Sequence, residues 1–400
     1  MNLKRSRGLT LLMSCLINLC IGSAYSWSVF AGPLAERLTA LGGAAYSASD
    51  LGIVFTVYNI PGPFCMIAGG WLNRRIEVRR LIQMGSVLFV AGLLLCSRAT
   101  TLGGLVVGFG LLVGFGVGTV YGCTVNNSVK LFPDKRGLAG GLTTGVYGLS
   151  SVLVPPVANV MIRNWGVSAA FQIIAVCFAV LLLASAFVEQ GPEEAGQMLP
   201  GGGRDMSWRE MLCQKKFYGM CAMLLCGGLS GMMVISSASD MAQVEAGFSP
   251  AAAALMVSVL SLFNAGGRAS AGILSDKLGR IGTLSLVFPI SVAALCALFF
   301  FGQDSMAVFA GSIALVGACF GALMGIFPGF TADEFGQRNN TVNYGILFFG
   351  FALSGMLGPQ VASWVMSGTG SYRSAFLIAA VVALAGFALI FLHRRLAARS

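Results

Sequence analysis

Apolar runs of about 20 residues recur along almost the whole chain. In a helix, a run of this length crosses the roughly 30 Å hydrocarbon core of a bilayer. Hydrophobic residues make up 56% of the 400 residues and charged residues only 10%, unlike soluble domains. The runs predict an all-α membrane protein with twelve transmembrane helices, at approximately 9–30, 50–72, 81–98, 101–127, 138–160, 166–188, 216–238, 250–275, 281–302, 304–330, 342–367 and 372–392.

The positions of the basic residues predict the orientation in the membrane. If the N-terminus is cytoplasmic, 20 of the 25 Lys and Arg residues lie on the inner side, four lie outside and one lies within a span. This bias is the positive-inside pattern, and it accounts for the net charge of +10 without a nucleic-acid partner. We therefore expect a multi-pass protein of a cell membrane, a bacterial inner membrane in particular, with both termini cytoplasmic.

One long polar segment divides the chain near its middle. Residues 189–215 are rich in Gly, Pro and Glu and predict a cytoplasmic linker between two six-helix bundles, 1–188 and 216–400. Polar loops recur in the two halves at an offset of about 202 residues, so the bundles are predicted to be pseudo-repeats. The paired loops are Gly69–Arg80 with Gly272–Arg280, and Leu131–Gly137 with Glu334–Asn340.

Arg268 lies deep inside the apolar run at about 250–275, with no acidic residue within one helical turn. It precedes Asp276 by eight residues, which places it about 12 Å from the inner surface at 1.5 Å per residue. Burying a guanidinium at this depth costs several kcal/mol by most accounts, so such charges usually face a water-filled path or a ligand. Because its fork of donors fits a carboxylate, we expect Arg268 to bind a small organic anion.

Further polar side chains are predicted to line a substrate site together with Arg268. They share its depth or its helix face, or lie on one stripe of the first span. For each of them the alternative is a role in helix packing or in hydrogen bonds between helices, and Arg268 itself could pair with helix carbonyls. These candidates are Asn264, Tyr121, Tyr147, Tyr25 and Asn18.

Several separated motifs resemble one transporter family. The segment GILSDKLGR resembles the cytoplasmic signature loop of the major facilitator superfamily. GSAYSWSVF, KLFPDKRGLAGG, FNAGGRASAGILSD and NYGILFFGFA are similar to motifs of the oxalate/formate antiporter family within it. The resemblance implies the major facilitator fold, transport of small carboxylates, and signature-loop or gating roles for Asp276, Lys277 and Arg280.

Two departures from these relatives narrow the expected substrate. The oxalate exchangers carry a second cation, a Lys, about where Phe351 stands here, so a monoanion is expected rather than a dianion. The related monocarboxylate transporters carry an acidic residue at the position of Asn264, so their proton-relay scheme does not transfer directly. Phe348 and Phe351 are then expected to be packing or gate residues.

Missing motifs exclude other classes of protein. No phosphate-binding loop occurs, so ATP hydrolysis is not expected. The single histidine, His393, stands at a span boundary, where we expect its ring to reach the interface rather than to serve catalysis. The eleven cysteines show no paired spacing, so neither a metal site nor a disulfide is predicted, and no cofactor is expected.

The sequence therefore predicts a monomeric secondary transporter in contact with membrane lipid, and not an enzyme. Its expected substrates are monocarboxylates such as formate, lactate or pyruvate, moved by anion exchange or proton symport. If protons are coupled, the candidate proton sites are Asp50 and Asp240 near the outer surface, since no acidic residue is expected deep in a span. Two alternatives stay open: a transporter-like sensor that binds a carboxylate without moving it, and a carrier of other small solutes.

Overall fold

The structure is a computed structural model that describes residues 7–42, 45–48, 50–73, 75–188 and 205–397. Most of the predicted linker, 189–204, and the chain ends therefore lie outside the described residues. The described helices are α1 (Arg7–Ile21), a 3-10 segment (Gly22–Ser26), α2 (Trp27–Ala40), α3 (Gly52–Asn59), α4 (Pro61–Leu72), α5 (Val78–Arg98), α6 (Leu102–Leu105), a π-helical segment (Val106–Val113), α7 (Gly114–Leu131), α8 (Arg136–Val188), α9 (Trp208–Leu212), α10 (Lys215–Ile235), α11 (Ala238–Ala246), α12 (Pro250–Leu278), α13 (Arg280–Phe301), α14 (Met306–Phe335), α15 (Asn340–Thr369) and α16 (Arg373–Ala397).

Eleven helical stretches in the described part of the chain are long and apolar enough to cross a membrane. One of them, Arg136–Phe187, has 52 residues, or about 78 Å at 1.5 Å per residue, which is more than twice the bilayer core. Gly166 interrupts it with φ 80° and ψ 165°, a conformation outside the helical region that glycine adopts without strain. The stretch therefore holds two spans, and the all-α architecture of twelve transmembrane helices is confirmed.

Some helices extend well past the predicted spans. The first runs from Arg7 to Ala40 instead of 9–30, through the 3-10 segment into α2. The tenth ends at Phe335 instead of residue 330. The reason is that backbone hydrogen bonding continues beyond the apolar run into polar sequence, where hydropathy no longer marks the helix.

The helices form two compact units, which differ from the predicted bundles in two short segments. The start of α8 groups with the second half of the chain and the start of α15 with the first half. The bundle bounds 1–188 and 216–400 therefore stay a prediction. Unit 1 comprises Met1–Pro133, Val146–Gly202 and Asn340–Gly345, and unit 2 comprises Asp134–Gly145, Gly203–Asn339 and Ile346–Ser400.

In unit 1, glycines on the fourth span let α3 and α4 approach it closely. A Cβ added at Gly114 would lie 2.9 Å from the Tyr58 carbonyl oxygen, and one at Gly118 would lie 2.8 Å from Cys65 Cβ. Neither position has room for a side chain. Small residues at four-residue spacing are the usual means by which membrane helices pack without a hydrophobic driving force between them.

In unit 2, a second row of glycines joins α14 to α12. Gly317, Gly321 and Gly325 recur every four residues and therefore share one face of α14. A side chain at any of them would collide with the backbone of α12. The carbonyls that they face are, in the same order, those of Leu260, Asn264 and Arg268.

Candidate functional site: a buried arginine and a tyrosine cluster

Arg268 lies on α12 with only 4% of its surface exposed. Its Nε donates to Asn264 Oδ1 over 2.9 Å, and its Nη1 donates to the Thr144 carbonyl oxygen over 3.2 Å. Both acceptors are uncharged. Among the described residues no carboxylate pairs with this guanidinium, so its positive charge is hydrogen-bonded but not neutralised.

Two rows of glycines hold the backbone at this arginine. A Cβ at Gly325 of α14 would collide with the Arg268 carbonyl oxygen, and a Cβ at Gly141 of α8 would lie 2.5 Å from that same carbonyl oxygen. Larger residues would push both helices away from α12. The α14 row was not predicted, although its four-residue spacing, GACFGALMG, is the same signal as the row at Gly114 and Gly118.

In unit 1, three predicted candidates meet in one aromatic cluster. The ring centroid of Tyr147 lies 5.3 Å from that of Tyr25 and 5.0 Å from that of Tyr121. Tyr121 and Tyr147 are buried and Tyr25 is half-buried. The cluster also contains Tyr58, whose hydroxyl lies 3.2 Å from that of Tyr147 and which the sequence analysis did not single out.

The 3-10 segment brings Tyr25 to this cluster. It begins at Gly22, where a side chain would collide with the Tyr147 carbonyl and would lie 2.9 Å from Ser150 Cβ. Only a residue without a Cβ permits this approach of the first span to α8. The tyrosines thus offer hydroxyl groups in apolar surroundings, an arrangement suited to orienting a small polar ligand.

Asn18 has a different environment from the tyrosines. It is fully buried on α1, and its Nδ2 donates to the Ser14 carbonyl over 2.7 Å and to Thr124 Oγ1 on α7 over 2.8 Å. Both amide protons therefore have partners within the helix bundle. Its substrate role stays a prediction, next to an observed role in joining α1 to α7.

Asp276 of the signature loop caps the start of α8. Its two carboxylate oxygens accept from the backbone N–H groups of Gly137 and Leu138, each over 2.8 Å. A carboxylate at a helix N-terminus satisfies unpaired N–H groups and interacts favourably with the helix dipole. The same carboxylate pairs with Arg280 over 2.8 Å.

Arg280 extends this network along the same end of unit 2. Its Nε lies 2.7 Å from an oxygen of Asp333, the carboxylate that also pairs with Arg136. Lys277 is exposed at the end of α12. The signature loop therefore links α8, α12, α13 and α14 through charged hydrogen bonds, and Lys277 lies at its margin.

Phe348 and Phe351 lie on α15 with their ring centroids 4.7 Å apart, and the Phe351 ring lies 5.8 Å from that of Phe320 on α14 at a tilt of 40°. These contacts give them a packing role. No cation occupies the position of Phe351. In the described apolar part of α12, the charged side chain is Arg268. On α15 the residue at position 351 is an uncharged phenylalanine rather than a second cation.

Two titratable residues lie where the sequence analysis did not expect them. His393 is 2% exposed, against Phe330 and with Nε2 3.9 Å from Glu334 Oε1, so the expectation that its ring reaches the interface is wrong. Helix packing encloses this end of α16 beside the Glu334–Lys216 pair. Glu245, which the sequence analysis overlooked, is buried on α11, where its carboxylate accepts hydrogen bonds from Gln303, Ser371 and Tyr372.

The candidate proton site Asp50 is exposed and hydrogen-bonded. Its carboxylate accepts from Ser47 N over 2.8 Å and from Ser47 Oγ over 2.6 Å. These two hydrogen bonds hold the pKa of Asp50 below its ordinary value. A carboxylate with a lowered pKa stays ionised at neutral pH and is poorly suited to carry a proton there.

Comparison with known proteins places the chain in a family. The family model of the Major Facilitator Superfamily matches residues 9–359. The oxalate:formate antiporter of Oxalobacter formigenes is 28% identical over 383 residues, covering 95% of this chain and 89% of the relative. Monocarboxylate transporter 12 of Rattus norvegicus is 24% identical over 358 residues, covering 82% and 72%.

The fold agrees with a solved structure of the same superfamily. The crystal structure of the transporter FucP in the outward conformation superimposes with a TM-score of 0.73 at 14% identity, covering 96% of this chain and 98% of that one. At this identity the likeness concerns the fold alone. Together with the family match, it shows that the chain belongs to the Major Facilitator Superfamily and is a multi-pass membrane transporter, not an enzyme.

Proposed function

We propose that this transporter moves small monocarboxylates of the formate, lactate or pyruvate type across a bacterial inner membrane, and that Arg268 is its anion-binding residue. The observation that carries the proposal is the buried guanidinium with two neutral acceptors and no described carboxylate partner. A charge left in this state is stabilised when an anion binds. The protein acts as a monomer with both termini cytoplasmic, by proton symport or anion exchange.

The relatives and the residue at position 351 support this substrate class. One relative is named for oxalate and formate and another for monocarboxylates. Arg268 can neutralise one negative charge, and the aromatic contacts at Phe351 supply no cation for a second one. A second uncompensated charge in a low dielectric would be costly, so monoanions are favoured.

The tyrosine cluster of unit 1 is a further candidate for substrate contact. Tyr147 lies at its centre, in ring contact with Tyr25 and Tyr121 and within hydrogen-bond distance of Tyr58. Replacing its hydroxyl alone, as in Tyr147→Phe, keeps the packing and removes the hydrogen-bonding group. Substrate contact by the cluster and by Asn18 belongs to the proposal.

Replacement of Arg268 provides the first test. In proteoliposomes, Arg268→Lys is expected to lower uptake of radiolabelled formate or lactate at least tenfold, because a point charge replaces a bidentate fork. The matched control is Arg163→Lys, at an exposed arginine of α8, which should transport like the wild type. Full uptake by a normally expressed Arg268→Ala protein would contradict the proposed role.

Substrate valence is the second test. Formate, lactate or pyruvate is expected to compete with a labelled monocarboxylate at concentrations at least ten times lower than oxalate, because only one cation meets the anion. Phe351→Lys should narrow this gap by adding a second cation, whereas Phe351→Leu should not. Equal competition by oxalate in the wild type would contradict the assignment to monoanions.

Coupling is tested by uptake into vesicles with and without internal substrate, at two external pH values. Uptake that requires internal substrate and ignores the pH gradient indicates exchange, and uptake into empty vesicles driven by the gradient indicates symport. In either case Asp50→Asn is expected to leave the pH profile between about pH 5 and 8 unchanged. The lowered pKa means that Asp50 is ionised throughout this range and loses its charge only below it.

A designed disulfide tests whether uptake requires movement between α8 and α12, and uptake by the unoxidised wild type separates a transporter from a sensor. A Cβ at Gly145 of α8 would lie 3.7 Å from Ala269 Cβ of α12, within the usual 3.5–4.5 Å of disulfides. In a background with the exposed Cys177 and Cys213 replaced by Ser, oxidised Gly145→Cys/Ala269→Cys should lose at least nine-tenths of its uptake and regain it on reduction. The control is each single cysteine under the same oxidation. Anion binding without uptake in the unoxidised wild type would favour the sensor.

A further inference from the structure

The side chain of Asn264 binds Arg268 directly, whereas the sequence predicts that it contacts the substrate. It stands one helical turn earlier on α12, and its Oδ1 accepts the Nε–H of Arg268 over 2.9 Å. Residues four apart lie on the same helix face, so this contact is intrinsic to the helix. The amide oxygen is thereby committed to the arginine.

The side chain of Asn264 is itself held in place by α14. A Cβ at Gly321 would lie 2.9 Å from Asn264 Oδ1, and it would also collide with the Asn264 carbonyl. The glycine therefore leaves just enough room for the amide oxygen. Asn264 is only half-buried, yet its oxygen has little freedom to move away from the guanidinium.

The acceptors leave a defined part of the guanidinium for an anion. Arg offers five N–H donors, of which Asn264 and the Thr144 carbonyl take one each. About three donors remain, all on the two terminal nitrogens, which is the edge that binds a carboxylate through two parallel hydrogen bonds. Because both acceptors are neutral, the full positive charge remains available.

We propose that Asn264 is a positioning residue: it fixes the rotation of the Arg268 guanidinium through a neutral acceptor, so that the terminal edge is presented with its charge intact. The inference rests on the proposed function of Arg268 as anion-binding residue. A neutral acceptor matters because an acidic residue here would make the same hydrogen bond but would compete with the substrate for the charge.

The discriminating variant is Asn264→Asp, which keeps shape and acceptor and adds a charge. In proteoliposomes its KM for formate or lactate at pH 7.5 is expected to rise at least tenfold. Asn264→Leu, which removes the acceptor at similar size, should raise KM at least threefold through lost orientation. Asn59→Asp, at an exposed asparagine of α3, is the matched control and should keep the wild-type KM. An Asn264→Asp protein with wild-type KM would overturn the proposal.

A second measurement reports on Arg268 without substrate. Phenylglyoxal modification of the full-length protein in detergent, followed by mass spectrometry of the peptide containing Arg268, should proceed at least threefold faster in Asn264→Leu than in the wild type. An unchanged rate together with a raised KM would mean that Asn264 contacts the substrate directly, and would overturn the positioning role. If instead the wild type takes up no monocarboxylate, or Arg268→Ala transports normally, the proposed function itself fails.

Discussion

The uncompensated charge of Arg268 is the constraint on which the rest of unit 2 depends. A guanidinium away from water must find hydrogen-bond acceptors, and an acidic acceptor would cancel the charge that an anion would use. The structure meets both demands with an amide oxygen and a helix carbonyl. The charge is therefore hydrogen-bonded and yet not neutralised by any described carboxylate.

Close helix packing makes this arrangement rigid. Gly325 of α14 and Gly141 of α8 both approach the Arg268 carbonyl oxygen, at distances that exclude a side chain at either glycine. Fixed backbone positions limit the freedom of a long side chain, whose ordering would otherwise cost about 2 kcal/mol of rotamer entropy. Pre-organisation of this kind lowers the cost of binding a ligand.

The signature loop connects the same part of α8 to the charged network of Arg280 and Asp333. Asp276 caps the N–H groups of Gly137 and Leu138, and further along the helix the Thr144 carbonyl accepts from Arg268. The first turns of α8 are thus held by α12 at two heights, one through a carboxylate and one through the cation of the candidate site. A ligand that binds the remaining donors of Arg268 would share the guanidinium with the Thr144 attachment, which is a physical route from binding to helix movement.

Residue type and spacing were enough to predict the spans, the family and the burial of Arg268 within a span, because bilayer thickness and the cost of a buried charge act on each segment separately. Tyr25, Tyr121 and Tyr147 were predicted as candidates for the substrate site, but their ring contacts with one another were not predicted. Tyr58 was not predicted at all. The burial of His393 and Glu245 was missed for the same reason. Which side chains meet depends on how helices far apart in the chain pack against each other, and this is decided by glycine rows that bring backbones into contact. The contact with Asn264 follows from helical spacing, but only the tertiary structure could show that the Thr144 carbonyl also holds Arg268, because a backbone acceptor leaves no trace in the identity of its residue.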